Sequence, residues 1–300
     1  MNWKLTARGP RERVEAALAL QGQIDDWDPA FVVGAREAAE TPEEWLLEAW
    51  LPRRPTRRDR MRLEKLFAGR APSITLERLT ETDWVSASQK HTPPVRVGPF
   101  RVRTPDYPAE PEPGVREFVV PAAQAFGTGQ HETTAGCLEL LSIMHARGLR
   151  PSNIADIGTG TGLLAFAAHA LWPRARATAS DVDPLCAAAV HDNAVRNAVP
   201  LGNRRGELAF AVADGMDGDL LEARAPYDLL IANILAAPLI ELAYDFAASV
   251  APRGSVLLAG LLSEQERAVR AAYLHAGFRP RARLVRGDWS ILWLRRRFAA

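Results

Sequence analysis

Residues 153–162 read NIADIGTGTG. Asp156 stands near the end of an apolar strand pattern, and Gly158, Gly160 and Gly162 follow two residues apart before a helical run. Glycines there allow a tight turn and let a ligand approach bare backbone. The helix start then offers N–H groups to a carboxylate or phosphate. The next strand pattern ends in Ser180-Asp181, where an acid can accept hydrogen bonds from both hydroxyls of a ribose. The strand after that ends in Ala213-Asp214, placed for an adenine edge. Polar groups at three successive strand ends point to one nucleoside-like ligand across the carboxyl edge of a sheet. The dinucleotide fingerprint G-x-G-x-x-G needs its third glycine where Leu163 stands, so a nicotinamide dehydrogenase is the poorer reading. The plainest alternative is a doubly wound domain that merely needs tight turns.

A second stretch, AFGTGQHETT at residues 125–134, carries two glycines, His131, Glu132 and three threonines before an apolar helical pattern. It admits a phosphate loop, a metal site or a catalytic His-Glu pair. Adjacent loop residues rarely converge on one proton, and no third partner is evident. HE here lacks HExxH spacing, which argues against zinc, and its glycines follow no clear strand, which argues against a phosphate loop. A third candidate is Asn233, closing the strand pattern YDLLIAN. Its amide oxygen can accept from an amine, although a cap at a strand–helix turn is the plainer role.

The elements that must position these residues fall into two groups. Residues 1–90 alternate as βαββαβ, a small α+β (ferredoxin-like) sandwich: WKLTAR, PRERVEAALAL, AFVVGAR, EEWLLEAWL, TRRDRMRLEKLF with Thr56 as N-cap, and SITLERL. Trp27, Trp45, Trp50 and Trp84 read as packing residues. Residues 91–115 are proline-rich and read as a linker with a short hairpin at PVRVGPFRV. Residues 116–300 form a long α/β series, implying a parallel sheet covered on both faces. FRPRARLVR and WSILWLRR flank Gly287-Asp288, a hairpin signal that makes the last strand antiparallel. Ser263 is expected to cap the preceding helix, Gly277 to end it, and PLIELAYDFAASV to form one helix.

The 300 residues are 47% hydrophobic and 24% charged, with a net charge of +1 that gives no whole-chain pull toward nucleic acid or membrane. Of 37 basic residues only Lys4, Lys65 and Lys90 are lysines, leaving 34 arginines. RRPTRRDRMRLEK, residues 53–65, is strongly basic; it is a solvated helix face or an RNA contact. Cys137 and Cys186 form no CxxC pair or Cys/His cluster and read as reduced thiols. The N-terminus has no apolar leader core, and no run reaches about 18 uncharged apolar residues. The expectation is a cytoplasmic protein, monomeric, without a metal.

The turn with Asp181 and Asp214 resembles the class I S-adenosylmethionine-dependent methyltransferases, whose seven-stranded Rossmann-like sheet has an antiparallel last strand. AFGTGQHETT, DLLIANILAAPLIELA and LAGLLSEQERAVRAAY narrow this, because they resemble the ribosomal protein L11 methyltransferases. The resemblance covers residues 84–300 by motif and the first third by element order. It implies S-adenosylmethionine as cofactor, amino groups of a large-subunit ribosomal protein (lysine side chains, N-terminal amine) as acceptors, and an N-terminal recognition domain. It also implies ribosomal RNA beside the substrate, within reach of residues 53–65. Carried over by position, cofactor contacts fall on Thr134, Gly158, Asp181 and Asn233, with Asp156, Gly160 and Asp214 from the wider class. Phe126, Thr128 and the glycines 127 and 129 would form a lid, with Phe126 shielding the methyl from water. The chain departs from its relatives at Gln130, Glu132 and Thr159, which leaves the cofactor assignment intact.

Asn233 is the expected catalytic residue. Nucleic-acid amino-methyltransferases often place Asn-Pro-Pro-aromatic there to stack a flipped base, whereas this chain has Asn233-Ile234-Leu235-Ala236 with no ring. The rival readings are a methyltransferase of another protein lysine or a small amine, and a cofactor-binding module without catalysis.

Overall fold

The computed structural model describes residues 2–21, 24, 27–28, 31–38, 41–67, 73–79, 94–121 and 132–297. The chain divides into two compact units, Met1–Lys90 and His91–Ala300.

In the first unit, β1 (Asn2–Pro10) leads into α1 (Arg11–Gln21), β2 (Val32–Ala38), β3 (Thr41–Leu51), α2 (Arg57–Lys65) and β4 (Ile74–Leu79). The sheet order is β2-β3-β1-β4, with every pair antiparallel. Strand alternation explains the layering. Leu5, Ala7, Leu47, Ala49 and Leu51 point to one face and bury against Val14, Ala17, Leu63 and Leu66 of the helical layer. Lys4 on the other face bridges Glu48 and Glu77 at 3.3 and 3.0 Å. Thr56 caps α2 as its sequence suggests, and Asp59 completes the box by accepting from the Thr56 N–H at 2.7 Å. Trp27 stacks on Phe31, while Trp84 lies outside the described residues.

The second unit opens with β5 (Val95–Val97), β6 (Phe100–Arg103) and β7 (Arg116–Val119), which form a small sheet of their own. The proline-rich segment carries the short hairpin expected at PVRVGPFRV, and β7 adds a third strand to it. Its Val97, Phe100 and Val102 enter the same core as Phe118 and Phe166. β7 was not apparent in the sequence, because four residues with one buried side chain give no period.

A larger sheet follows, built from β8 (Asn153–Ile157), β9 (Arg176–Asp181), β10 (Leu208–Val212), β11 (Tyr227–Asn233), β12 (Val250–Leu262), β13 (Phe278–Arg286) and β14 (Trp289–Arg296). Its order is β10-β9-β8-β11-β12-β14-β13. The first five strands pair in parallel, and β14 runs antiparallel to both neighbours. The helices are α3 (Glu132–Ala146), α4 (Leu163–Leu171), α5 (Leu185–Arg196), α6 (Asp219–Arg224), α7 (Ala236–Glu241), α8 (Ala243–Ser249) and α9 (Glu266–His275). Both sheet faces are covered: Leu229 and Ile231 join one hydrophobic cluster, Leu230 and Ala232 the other. That is why these strands read as continuous apolar runs. Cys137 and Cys186 are free and buried.

Three local expectations change. PLIELAYDFAASV breaks at Leu242 into α7 and α8. The short helix α6 lies between β10 and β11, where no helix was expected. Ser263 does not cap α9; its N–H donates to Asp288, and the Gln265 side chain accepts from the Leu262 N–H. Gly277, at φ +92°, does end that helix. No helix among the described residues is long and apolar enough to cross a membrane.

The end of the sheet is tied by one buried acid. Glu266, 6% exposed, accepts from Ser290 Oγ (2.6 Å), Arg283 Nε (2.5 Å) and Arg270 Nη1 (3.1 Å). Burial alone would raise its pKa, but Ser290, Arg283 and Arg270 together outweigh that and hold it below the usual value. Its contribution is therefore present above the ordinary glutamate range and lost as pH falls through its lowered folded value. Glu266→Gln should cost about 1–3 kcal/mol near neutral pH. Thermal melts should show the gap between variant and wild type closing as the buffer is acidified below the glutamate range.

Candidate functional site

The site is assembled at the carboxyl ends of β8, β9 and β11. Gly158, Gly160 and Gly162 adopt φ of +70°, +55° and +86°, which L side chains rarely tolerate. The turn they make is fastened to the next strand. The N–H groups of Gly158 and Thr159 both donate to the Ser180 carbonyl at 2.9 Å. The Gly160 N–H donates to Asp181 Oδ2 at 2.8 Å, and Asp181 Oδ1 accepts from the Asp183 N–H at 3.1 Å. A carboxylate offers about four acceptor positions, and the Cys186 thiol also faces this one, so Asp181 keeps acceptor capacity for a ligand hydroxyl. Asp214 is exposed at the end of the neighbouring strand, where a bridge to Asp217 turns the chain.

Asp156 plays a different part from the ligand contact the wider class suggests. It is 1% exposed, and its Oδ2 accepts from Thr159 Oγ1 at 2.6 Å and from the Ala165 N–H at 3.0 Å. It caps the first turn of α4 from beneath and gives Thr159 a buried partner. Burial raises its pKa to about 7, against the lowering effect of those two bonds and with a further small push from Asp181.

Asn233 and Thr134 are 99 residues apart and meet here, with Asn233 Nδ2 donating to Thr134 Oγ1 at 3.4 Å. Thr134 is 1% exposed, and Asn233 is half-buried. No bond among the described residues reaches the Asn233 amide oxygen. Phe126, Thr128 and His131 lie outside the described residues. Glu132 begins α3 and lies 3.7 Å from Arg286, which also bonds Glu139 at 2.7 Å. Its carboxylate is thus engaged by an arginine, with no role in proton transfer indicated. No group of three or more His, Cys, Asp or Glu suited to a metal ion occurs among the described residues.

The structure adds residues the sequence reading passed over. Ile234, directly after Asn233, is held between two glycines. A Cβ on Gly158 would come within 2.3 Å of Ile234 Cγ2, and one on Gly260 within 2.2 Å of the Ile234 carbonyl oxygen. Gly260 has φ +85° and lies where β12 shifts register between Leu258 and Leu261. A lone glycine inside an apolar strand is the available signal for such a close approach. Asn193 is the second addition, its buried amide donating to the Thr161 carbonyl at 3.0 Å. Asn197, one turn on, exchanges bonds with the backbone of Val119 at 2.7 and 2.9 Å. Two asparagines four apart on the inward face of an Ala-rich helix carried that information.

With this geometry in place, comparison with known proteins gives a consistent result. The family model described as ribosomal protein L11 methyltransferase matches residues 30–297. A protein of that name from Rhizobium meliloti (strain 1021) is 36% identical over 288 residues, covering 95% of this chain and 96% of the relative. One from Sinorhizobium fredii is 37% identical, covering 87% and 88%. Among solved structures, a ribosomal protein L11 methylase from Lactobacillus delbrueckii subsp. bulgaricus superposes with a TM-score of 0.57 at 25% identity, covering 67% of this chain and 98% of that one.

Two measurements check the site. Gly260→Ala should lose roughly 2–4 kcal/mol, whereas Gly277→Ala, at similar φ with nothing within 4 Å of its Cβ, should lose only about 1 kcal/mol. Equal losses in denaturant titrations would show that contact with Ile234 is not the constraint. For Asp156 the raised pKa means that its stabilising share is full below the ordinary aspartate range and falls as pH rises through about 7. Asp156→Asn keeps an acceptor but cannot ionise, so its stability relative to wild type should rise between acidic and mildly alkaline pH.

Proposed function

We propose, since the chain belongs to the ribosomal protein L11 methyltransferase family, that the Asn233 edge is where methyl groups pass from S-adenosylmethionine to amino groups of a ribosomal protein. The observation that carries this is the meeting of Asn233 and Thr134 beside the glycine turn, with the Asn233 amide oxygen still available.

The residues present fit the cofactor. Gly158 and Gly160 leave bare backbone at the turn, Asp181 retains acceptor capacity for a ribose hydroxyl, and Asp214 is exposed at the next strand end. When bound, the cofactor supplies an already activated sulfonium methyl. The protein's task is to hold an amine in line with it and dry. A lysine amine has a pKa of about 10.4 and must lose a proton first. A half-buried edge disfavours the ammonium form, and the Asn233 oxygen can accept from the neutral amine and orient its lone pair. Positioning and desolvation are proposed to carry the step, without a dedicated general base.

Lysine side chains and an N-terminal amine are the acceptors this chemistry allows. The segment holding Phe126 and Thr128 is proposed as the cover that keeps water from the methyl. The first unit is proposed as a ferredoxin-like recognition domain. Arg53 and Arg62 approach Asp28 there, Arg53 also binds Asp59, and Arg54 lies over Trp3. That leaves Arg57, Arg58 and Arg60, exposed on α2, to meet ribosomal RNA. The enzyme is proposed to work in the cytoplasm as a monomer.

Asn233→Ala should retain its fold and bind cofactor while losing at least about 100-fold in methyl transfer to a purified ribosomal protein, roughly 2.7 kcal/mol of transition-state stabilisation. Wild-type turnover by the folded variant would remove Asn233 from the reaction. A panel of purified ribosomal proteins with labelled cofactor identifies the acceptor, and label on none of them would sink the substrate assignment. Replacing Arg57, Arg58 and Arg60 with glutamine should flatten the salt dependence of binding to the RNA-bound substrate. An unchanged slope would rule out contact through α2.

A further inference from the structure

Charge is unevenly distributed over the chain. Residues 278–297 hold seven arginines and one aspartate, a charge of +6, so the remainder carries −5 against an overall +1. Those residues form β13 and β14, and β13 is the outermost strand of the seven-stranded sheet. Arg283 is taken up by Glu266, and Arg286 by Glu139 and Glu132. Arg279, Arg281, Arg295, Arg296 and Arg297 have no carboxylate partner among the described residues.

The arrangement costs the fold something. Arg279 stands directly across the ladder from Arg295, and like charges in facing positions weaken a sheet. Their guanidiniums bond only backbone carbonyls: Arg279 those of Leu274 and Phe278, Arg295 that of Arg253, and Arg296 that of Val250. Each guanidinium has five N–H donors, so most remain for an outside acceptor. Arg281 and Arg297 are exposed and form no side-chain bond among the described residues. Apolar anchoring is sparse, since Val285 is the only large hydrophobic exposed on either strand. A protein interface would want an apolar, aromatic core, whereas a row of arginine forks suits phosphates.

The row also lies clear of the chemistry. Arg295 pairs with Ser255, four residues before Ala259, which neighbours Asn233. That places it about 13 Å along the strand, toward the edge where the parallel strands begin.

We infer that the outer edge formed by β13 and β14 is an RNA-binding surface of the catalytic unit, seating the phosphate backbone of duplex RNA through Arg279, Arg281, Arg295 and Arg297 while the Asn233 edge stays open to the protein substrate. It rests on the proposed function only for the source of the RNA, ribosomal RNA beside the methylated protein. The α2 arginines of the other unit play no part in it.

The test uses the full chain and a fluorescently labelled RNA hairpin of about 20 base pairs, with binding followed by anisotropy between about 50 and about 200 mM salt. Replacing Arg279, Arg281, Arg295 and Arg297 together with glutamine should lower affinity at least tenfold at about 100 mM salt and flatten the log–log slope by roughly 3–4. Arg281→Gln with Arg297→Gln, at two positions without side-chain bonds, should flatten it by about half as much and guards against misfolding of the fourfold variant. Cofactor binding and methylation of the free ribosomal protein should stay at wild-type levels in both. An unchanged slope in the double variant overturns the inference. So does aggregation with undiminished RNA binding, which would make the arginines guards of an exposed strand edge. Loss of methylation of the free protein with RNA binding intact also overturns it, in favour of an acidic protein partner. A wild-type chain that binds RNA but neither cofactor nor ribosomal protein would sink the proposed function and leave this surface standing.

Discussion

Ile234 is the point on which the site depends. Its side chain fills the space that a Cβ on Gly158 would need, and its carbonyl fills the space that a Cβ on Gly260 would need. Three chain segments, the ends of β8, β11 and β12, are thereby brought closer than any residue with a side chain would permit. The consequence is positional: Asn233 is fixed one residue upstream of that contact, beside the turn that fits a nucleoside-bearing cofactor. Both glycines are also held at positive φ, so the close approach and the unusual backbone select the same residue type.

Around that contact the polar groups are arranged by depth. Asp156, at the bottom, spends its carboxylate on Thr159 and the start of α4. Asp181, higher up, spends part of its capacity on the turn and on the Asp183 N–H and keeps the rest. Asn233 keeps its oxygen. The buried acid braces the turn, and the shallower groups meet the ligand and the amine. This gradation follows from desolvation, since a fully buried carboxylate must find its partners within the protein.

Much of this was legible in the chain. Continuous apolar runs announced a sheet covered on both faces, and Gly287-Asp288 announced the hairpin that closes it. Thr56 marked the start of α2. The glycine turn and Asp181 were visible because turn geometry and ligand chemistry both restrict residue type. The failures were of another kind. Leu242 interrupts a helix that local pattern leaves whole. Ser263 looks like a cap, but the N-cap position falls on Gln265, whose side chain accepts from the Leu262 N–H instead of capping the helix. β7 owes its existence to pairing with β6 and to Asn197, partners that no local window contains.

The sequence by itself determined the alternation of strands and helices, the two-faced burial of the sheet and the residue types of the cofactor turn, because these depend on periodicity and on allowed backbone angles within a few positions. Tertiary structure decided what depends on separation in space. It brought Thr134 to Asn233 across 99 residues and buried Asp156, turning a presumed ligand contact into a brace. It paired Glu266 with Arg283 and Ser290, and it left five arginines of residues 278–297 without acidic partners at one edge of the sheet. Hydrogen bonds and charges act over a few ångströms, and only the folded chain fixes which distant residues come within that range.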